Sequence, residues 1–251
     1  MRRDETFPFY LNAWYTGAPE SRRPSPSNIM ARCRGMTVTF GDGTTVEDWG
    51  GQWYVNNIGT GRAEVARALA AQARRMSWVS PSDFVDVRLA LTRDLRSVLP
   101  RHLTTPQYTV GGSDAMETAI RAARKVTGRK RVLSFTQAYH GDTLAIENVN
   151  GLPRTAYGDR RPWAVHAPAP CDLWEAAGRD WPRACDRALD GVERALRRRG
   201  PRTFAALIVE PVMTGPGAIV LSPRLARELR ALCDRHGIKL VADEVVTGFG
   251  R

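Results

Sequence analysis

The sequence predicts an α/β protein, a mostly parallel sheet flanked by helices, entered through a smaller α+β segment. Two observations carry this. From about residue 107 onward, short apolar runs alternate with amphipathic helical stretches, the pattern of strand–helix units that build a parallel sheet. Before that point the chain has a Pro-, Ser- and Arg-rich start, a Gly-Asp-Gly turn between alternating residues, and two helical stretches. A division near residue 80 follows, with 1–80 as an N-terminal arm and small-domain segment and 81–251 as a large domain.

The elements follow in order. Residues 1–35, with "PSPS" at 24–27, read as an extended arm and loop. "MTVTFGDGTTVEDW" alternates on both sides of its Gly-Asp-Gly and predicts a hairpin. Apolar residues at Val65, Leu69, Ala73 and Met76 predict a helix over about 62–76. A second helix over about 84–99 stops at Pro100. "QYTV" at 107–110 predicts a short strand. In the stretch after it, Ala115, Met116, Ala119, Ile120 and Ala123 share one helical face, and Gly128 closes the helix. Strands at "RVLSF", "WAVH", "FAALIVE" and "IKLVADEV" then alternate with helices over about 181–199 and 223–236.

Composition bounds the function. At 251 residues, 43% hydrophobic and 25% charged, the chain is long enough for a sizeable core and reads as globular. No apolar run reaches membrane-spanning length, and the start lacks the apolar stretch of a secretory signal, so cytoplasmic residence without membrane attachment is expected. The net charge of +11 comes almost wholly from Arg scattered along helices, with Lys only at 125, 130 and 239. No aromatic residues interleave with those charges, so a solvated surface is expected rather than nucleic-acid binding. Cys33, Cys171, Cys185 and Cys233 form no close pair, and reduced thiols are expected. Cys233 and His236 have half the spacing of a metal site, but they lie at a helix end with no second half nearby.

Parallel sheets bind ligands beyond the carboxyl ends of their strands, and three motifs lie there. In "TVGGSDAMETA", Gly112, Ser113 and the amide of Asp114 open a helix whose N–H groups favour an anion; an ordinary N-cap explains the same residues. In "SFTQAYHG", Tyr139 stacks on a planar ligand or fills the core, with His140 and Gly141 beside it. In "LVADEVVTGFGR", period-two alternation puts Asp243 and Val245 on one strand face. No Lys or Arg falls in the strand segments around Asp243 or Glu210. The cationic partner of Asp243 is therefore expected from a ligand, and a protonated pyridine nitrogen fits. A divalent cation between Glu210 and Asp243 is the competing reading.

Together these make a phosphate seat, a stacking ring and a pyridinium partner. "GGSDAMETAIRAAR", "YHG", "HAPAPC", "LIVEPV" and "LCDRHGIKLVADEVVTGFGR" resemble, in order and spacing, the class III (ω-type) pyridoxal-phosphate-dependent aminotransferases. The resemblance covers essentially the whole chain. It implies the fold type I architecture of pyridoxal-phosphate enzymes and pyridoxal 5'-phosphate as cofactor. By that resemblance Gly112, Ser113 and Asp114 hold the phosphate. The "YHG" motif brings Tyr139, His140 and Gly141 to the cofactor, Tyr139 covers one ring face and Val245 the other. Asp243 pairs with the ring nitrogen, and Glu210 supports the site. Trp53, in "DWGGQWYVNN", is the expected wall of the substrate pocket, with Tyr15 and Trp14 reaching it from the arm. No metal is expected.

The same resemblance implies transfer of an amino group from an amine or amino acid to a keto acid or aldehyde, by a homodimer. An aminomutase or racemase of the family, or a noncatalytic protein with this fold, would share every motif. The departures are the Gly-Gly pair where many members have Ser-Gly, Asp114 for a common Glu, and the apolar Val246 at a position polar in several relatives. The family's Schiff-base lysine lies beyond "DEVxTGFGR", and Lys125, Lys130 and Lys239 do not match it. The chain is therefore expected to be the N-terminal part of a longer enzyme.

Overall fold

The computed structural model describes residues 25–152 and 162–250. The chain divides into two compact units, Met1–Leu89 and Ala90–Arg251.

The first unit contains an antiparallel sheet of β1 (Met30–Arg34), β2 (Thr37–Phe40) and β3 (Thr45–Glu47), in that order. The predicted hairpin is β2–β3, with Val38 opposite Val46. Strand β1 was expected to be loop; it forms because Cys33 and Arg34 pair with Val38 and Thr37 across a tight turn. A single turn, α1 (Gly51–Tyr54), follows, with Gln52 and Trp53 at positive φ. Helix α2 (Ala63–Arg75) matches its predicted span, and Arg75 forms a two-pronged ion pair with Asp86 at 2.8 and 2.6 Å. The unit division falls within α3 (Asp86–Val98).

The second unit is built on four parallel strands: β4 (Arg131–Phe135), β5 (Ala164–Ala167), β6 (Phe204–Val209) and β9 (Lys239–Ala242). Their order across the sheet is β5–β4–β6–β9. Every residue of β6 is buried, as expected for a central strand covered on both faces. Alternation divides its side chains. Leu207 and Val209 join Leu133 and Phe135 of β4 under α5 (Trp181–Arg199) and α6 (Pro223–His236), where Val192, Leu196, Leu225 and Leu229 complete the main core. Ile208 and Val132 face the other way, toward Met116 and Ile120 of α4 (Gly112–Thr127) and toward Ile146 and Val149.

Local chemistry sets the helix ends. Asp180 caps α5 by accepting from Arg183 N–H, and Ser222 caps α6 by accepting from Leu225 N–H, each followed by a proline in the first turn. Gly128 ends α4 at φ 67°, as the sequence predicts. At the amino edge of the sheet, Arg129 donates through Nη1 to the carbonyls of Phe204, His236 and Gly237 at 3.2, 2.9 and 3.1 Å.

Two further expectations are corrected. Residues 107–110 are not a strand; among the described residues no neighbouring strand pairs with them, and Val110 is fully exposed. Strand β9 ends at Ala242, so Asp243 and Val245 do not lie on one strand face but on the turn beyond it. A short ribbon of β7 (Val212–Met213) and β8 (Ile219–Val220) follows Pro211, in a stretch for which the sequence offered no element.

Candidate active site

Three parallel strands deliver polar residues to one edge of the second unit. Glu210 follows β6 directly, Asp243 follows β9 directly, and the Tyr139–Gly141 turn follows β4 by a few residues. The β6–β9 pairing runs one bond past the strands, since Asp243 N–H donates to Val209 O at 2.8 Å. That bond fixes the Asp243 main chain beside Glu210.

Asp243 is buried and its partner is a histidine. Its Oδ2 lies 2.7 Å from His140 Nδ1, and His140 Nε2 lies 3.0 Å from Ser134 Oγ on β4. The side chains of His140 and Asp243 are 0% and 6% exposed. An ionised carboxylate offers only acceptors, so Nδ1–H donates to it. The sequence reading expected the partner of Asp243 to come from a ligand and did not foresee that the protein itself supplies one in His140. Lys and Arg are indeed missing from the strand segments, but His140, 103 residues away in sequence, hydrogen-bonds to the carboxylate. The second Asp243 oxygen, Oδ1, accepts from Val245 N–H at 3.2 Å.

Glu210 Oε1 accepts from Tyr139 N–H at 3.0 Å, and Oε2 accepts from Thr214 N–H at 3.4 Å. Burial holds its carboxyl above the usual carboxylate range, opposed by His140 and the Tyr139 amide and reinforced by the charge of Asp243. Asn150, unremarked in the sequence, is also buried: it accepts from His140 N–H and donates to Gly141 O. A lone Asn gives no motif, and its burial appears only in the folded chain.

The start of α4 closes the site. Its first helical bond runs from Ala115 N–H to Gly111 O, so the amides of Gly112, Ser113 and Asp114 precede the ladder and face outward along the dipole. Asp114 Oδ2 turns back to accept from Val110 N–H at 3.4 Å. Ser113 Oγ accepts from Asp142 N–H at 3.3 Å. Two glycines make this closeness possible. A Cβ on Gly112 would lie 2.9 Å from Val245 Cγ2, and one on Gly141, at φ 126°, would lie 2.4 Å from Ser113 Oγ.

The structure thus joins Gly112, Ser113, Tyr139, His140, Gly141, Glu210, Asp243 and Val245 in one circuit of contacts, with Val245 half exposed and Tyr139 half-buried. Trp53 belongs to the first unit, where it is exposed. Tyr15 and Trp14 lie outside the described residues. Lys125 is in the last turn of α4 and Lys239 at the amino end of β9, both exposed and away from this edge, and Lys130 is exposed just before β4. Among the described residues, no group of three or more His, Cys, Asp or Glu is placed to hold a metal ion. No helix among them is long and apolar enough to cross a membrane.

The family model for Aminotransferase class-III matches residues 19–251. The chain belongs to the class-III aminotransferases. It is 32% identical over 236 residues to an adenosylmethionine-8-amino-7-oxononanoate aminotransferase of Geobacter sulfurreducens, covering 86% of this chain and 52% of that protein. It is 31% identical over 232 residues to a 5-aminovalerate aminotransferase of Pseudomonas aeruginosa, covering 89% and 52%. Among solved structures it is similar to an amine transaminase from an uncultivated Pseudomonas species in the PLP-bound form, with a TM-score of 0.86 and 31% identity over 99% of this chain and 57% of that one. An (S)-enantioselective ω-transaminase from Thermomicrobium roseum gives a TM-score of 0.82 at 31% identity, covering 89% and 52%. The class-III chain described here spans about half the length of the curated relatives it matches.

Proposed function

We propose that the protein carrying this chain is a pyridoxal-phosphate-dependent aminotransferase that moves an amino group from an amine or amino acid to a keto acid or aldehyde. The observation that carries this reading is the buried Asp243 carboxylate, held by His140 and the Val245 amide next to the anion-favouring start of α4. Residues of the required kinds are in contact there, so the site fits the cofactor. The proposal includes a homodimer, cytoplasmic residence, and 81–251 as the incomplete large cofactor-binding domain, with 1–80 as arm and small-domain segment.

In this reading the amides of Gly112, Ser113 and Asp114, with the Ser113 hydroxyl, receive the phosphate. Tyr139 would cover one face of the ring and Val245 the other. Asp243 holds the proton on the ring nitrogen. His140 orients the Asp243 carboxylate, and Glu210 acts as a positioning residue through the Tyr139 and Thr214 amides. When bound, the cofactor supplies an electron sink for the charge released at the substrate carbon. Trp53 and Tyr15 are assigned to the substrate pocket.

The test uses the full-length protein that carries this chain. Addition of pyridoxal phosphate should give a protein-bound absorbance band, and an amino donor should shift that band while its keto product appears in the solution. Asp243→Asn should retain binding and lower transfer by about a hundredfold or more, because the ring proton is no longer held against a charge. A protein that binds no cofactor, or an Asp243→Asn variant as fast as the parent, removes the proposal.

A further inference from the structure

The turn that carries Tyr139 and His140 lies outside any sheet. Its end is bent at Gly141, and among the described residues no strand pairs with its peptide groups. Glu210 holds the Tyr139 amide at its start, and the His140–Gly141 portion needs its own support, because a small rotation there moves both the ring of Tyr139 and the imidazole that meets Asp243.

Asn150 supplies this. It is 4% exposed and follows the short turn Ile146–Asn148. Its Oδ1 accepts from His140 N–H at 2.7 Å and its Nδ2 donates to Gly141 O at 2.6 Å. One amide therefore bonds to the His140 N–H and the Gly141 carbonyl, the two ends of the His140–Gly141 dipeptide. The support behind it is rigid. Gly151 and Leu152 donate to Ala138 O at 2.9 and 3.3 Å, and a Cβ on Gly151 would sit 2.2 Å from Phe135 O. The segment bearing Asn150 thus lies flat against the chain leaving β4.

From this geometry we infer that Asn150 is a positioning residue for the site, locking the Tyr139–Gly141 turn so that His140 reaches Asp243 and Tyr139 faces the cofactor. The residue type follows from the task. A carboxamide supplies both roles, acceptor and donor, from two separate atoms that reach the two peptide groups at once. Aspartate has no donor for Gly141 O and adds a negative charge near Asp243 and Glu210. Leucine leaves both peptide groups buried and unpaired.

The inference rests on the proposed cofactor site, and two independent readouts separate them. Asn150→Asp and Asn150→Leu are compared with Val149→Ala in the full-length protein. Val149 is 1% exposed and its side chain belongs to the core beneath α4, so its truncation lowers stability without touching the turn. Asn150→Ser, which puts a single short hydroxyl in place of the carboxamide, replaces a variant that fails to fold. The first readout is hydrogen exchange at residues 139–142 without cofactor. The second is pyridoxal phosphate affinity together with the induced circular dichroism of the bound ring at saturation.

Asn150→Leu, which removes the acceptor, should exchange about tenfold faster at the His140 amide, and both Asn150→Leu and Asn150→Asp should bind the cofactor about tenfold more weakly and alter its dichroism. Val149→Ala, with a similar loss in Tm, should leave all three near the parent values. Asn150 variants with parental exchange and dichroism overturn the inference, as does a Val149→Ala variant that reproduces their changes. If the parent binds no pyridoxal phosphate, the proposed function falls, while the exchange readout still decides whether Asn150 holds the turn.

Discussion

The bond between His140 and Asp243 makes a quantitative demand on stability. His140→Ala removes a buried hydrogen bond to a carboxylate at 2.7 Å and leaves Ser134 Oγ without its imidazole partner at 3.0 Å. A charged hydrogen bond contributes about 1.5–3 kcal/mol and an orphaned buried hydroxyl costs about 1–3 kcal/mol. The space left by a fully buried ring adds about 1 kcal/mol more. A total of about 3.5–7 kcal/mol is expected, which is a large share of the roughly 5–15 kcal/mol that holds a typical domain together. The assay is urea unfolding of the cofactor-free full-length protein, run as a double-mutant cycle with Asp243→Ala. If the two side chains interact as described, the double variant should lose about 1.5–3 kcal/mol less than the sum of the single losses. Each midpoint should move with little change in slope. Losses that add to within about 0.5 kcal/mol would refute the reasoning, because independent residues behave that way.

Two other consequences are direct. Gly141→Ala places a Cβ 2.4 Å from Ser113 Oγ and 2.9 Å from the Ser113 main chain at a positive φ, so the backbone itself must move. A loss of about 3 kcal/mol or more is expected in thermal unfolding, and adding Ser113→Ala should recover only part of it because the clash with the main chain remains. Glu210 titrates in the opposite sense to an ordinary ion-paired acid. Burial raises its folded-state pKa above the reference of 4.5, so the folded state holds the proton more tightly than the unfolded state. Its contribution to stability is complete below that reference and is lost as pH rises through the raised value. The stability of the parent relative to Glu210→Gln should therefore fall as pH rises from 4.5, and a flat difference in urea midpoints across that range would contradict the assignment.

Much of this architecture is legible along the chain because it is local. The spans of α2, α5 and α6 follow from apolar spacing and from capping by Asp180, Ser222 and Gly237, which act within a few residues of themselves. The site motifs are legible for a related reason: each follows a strand or an extended run, and each bends at a glycine or before a proline. What the sequence hides is pairing over distance. "QYTV" has the side chains of a strand but no neighbour to bond with among the described residues, whereas β1 has an unpromising composition and a neighbour one turn away. Asp243 looks unpartnered in the sequence because its partner is an imidazole that lies far along the chain and meets it only across the folded sheet edge. Asn150 carries no signal until the turn it braces is folded against it.

The strand order has a further consequence. From β4 the chain leaves toward β5 on one side, and from β6 it leaves through α6 toward β9 on the other. Adjacent strands whose exits diverge leave a gap between them that neither connection can cover. The Tyr139–Gly141 turn and Glu210 border that gap because they are the first residues free to bend away. The location of the chemistry is thus inherited from the direction of the connections. Substitution can change what the opening accepts, but relocating it would require rewiring the sheet.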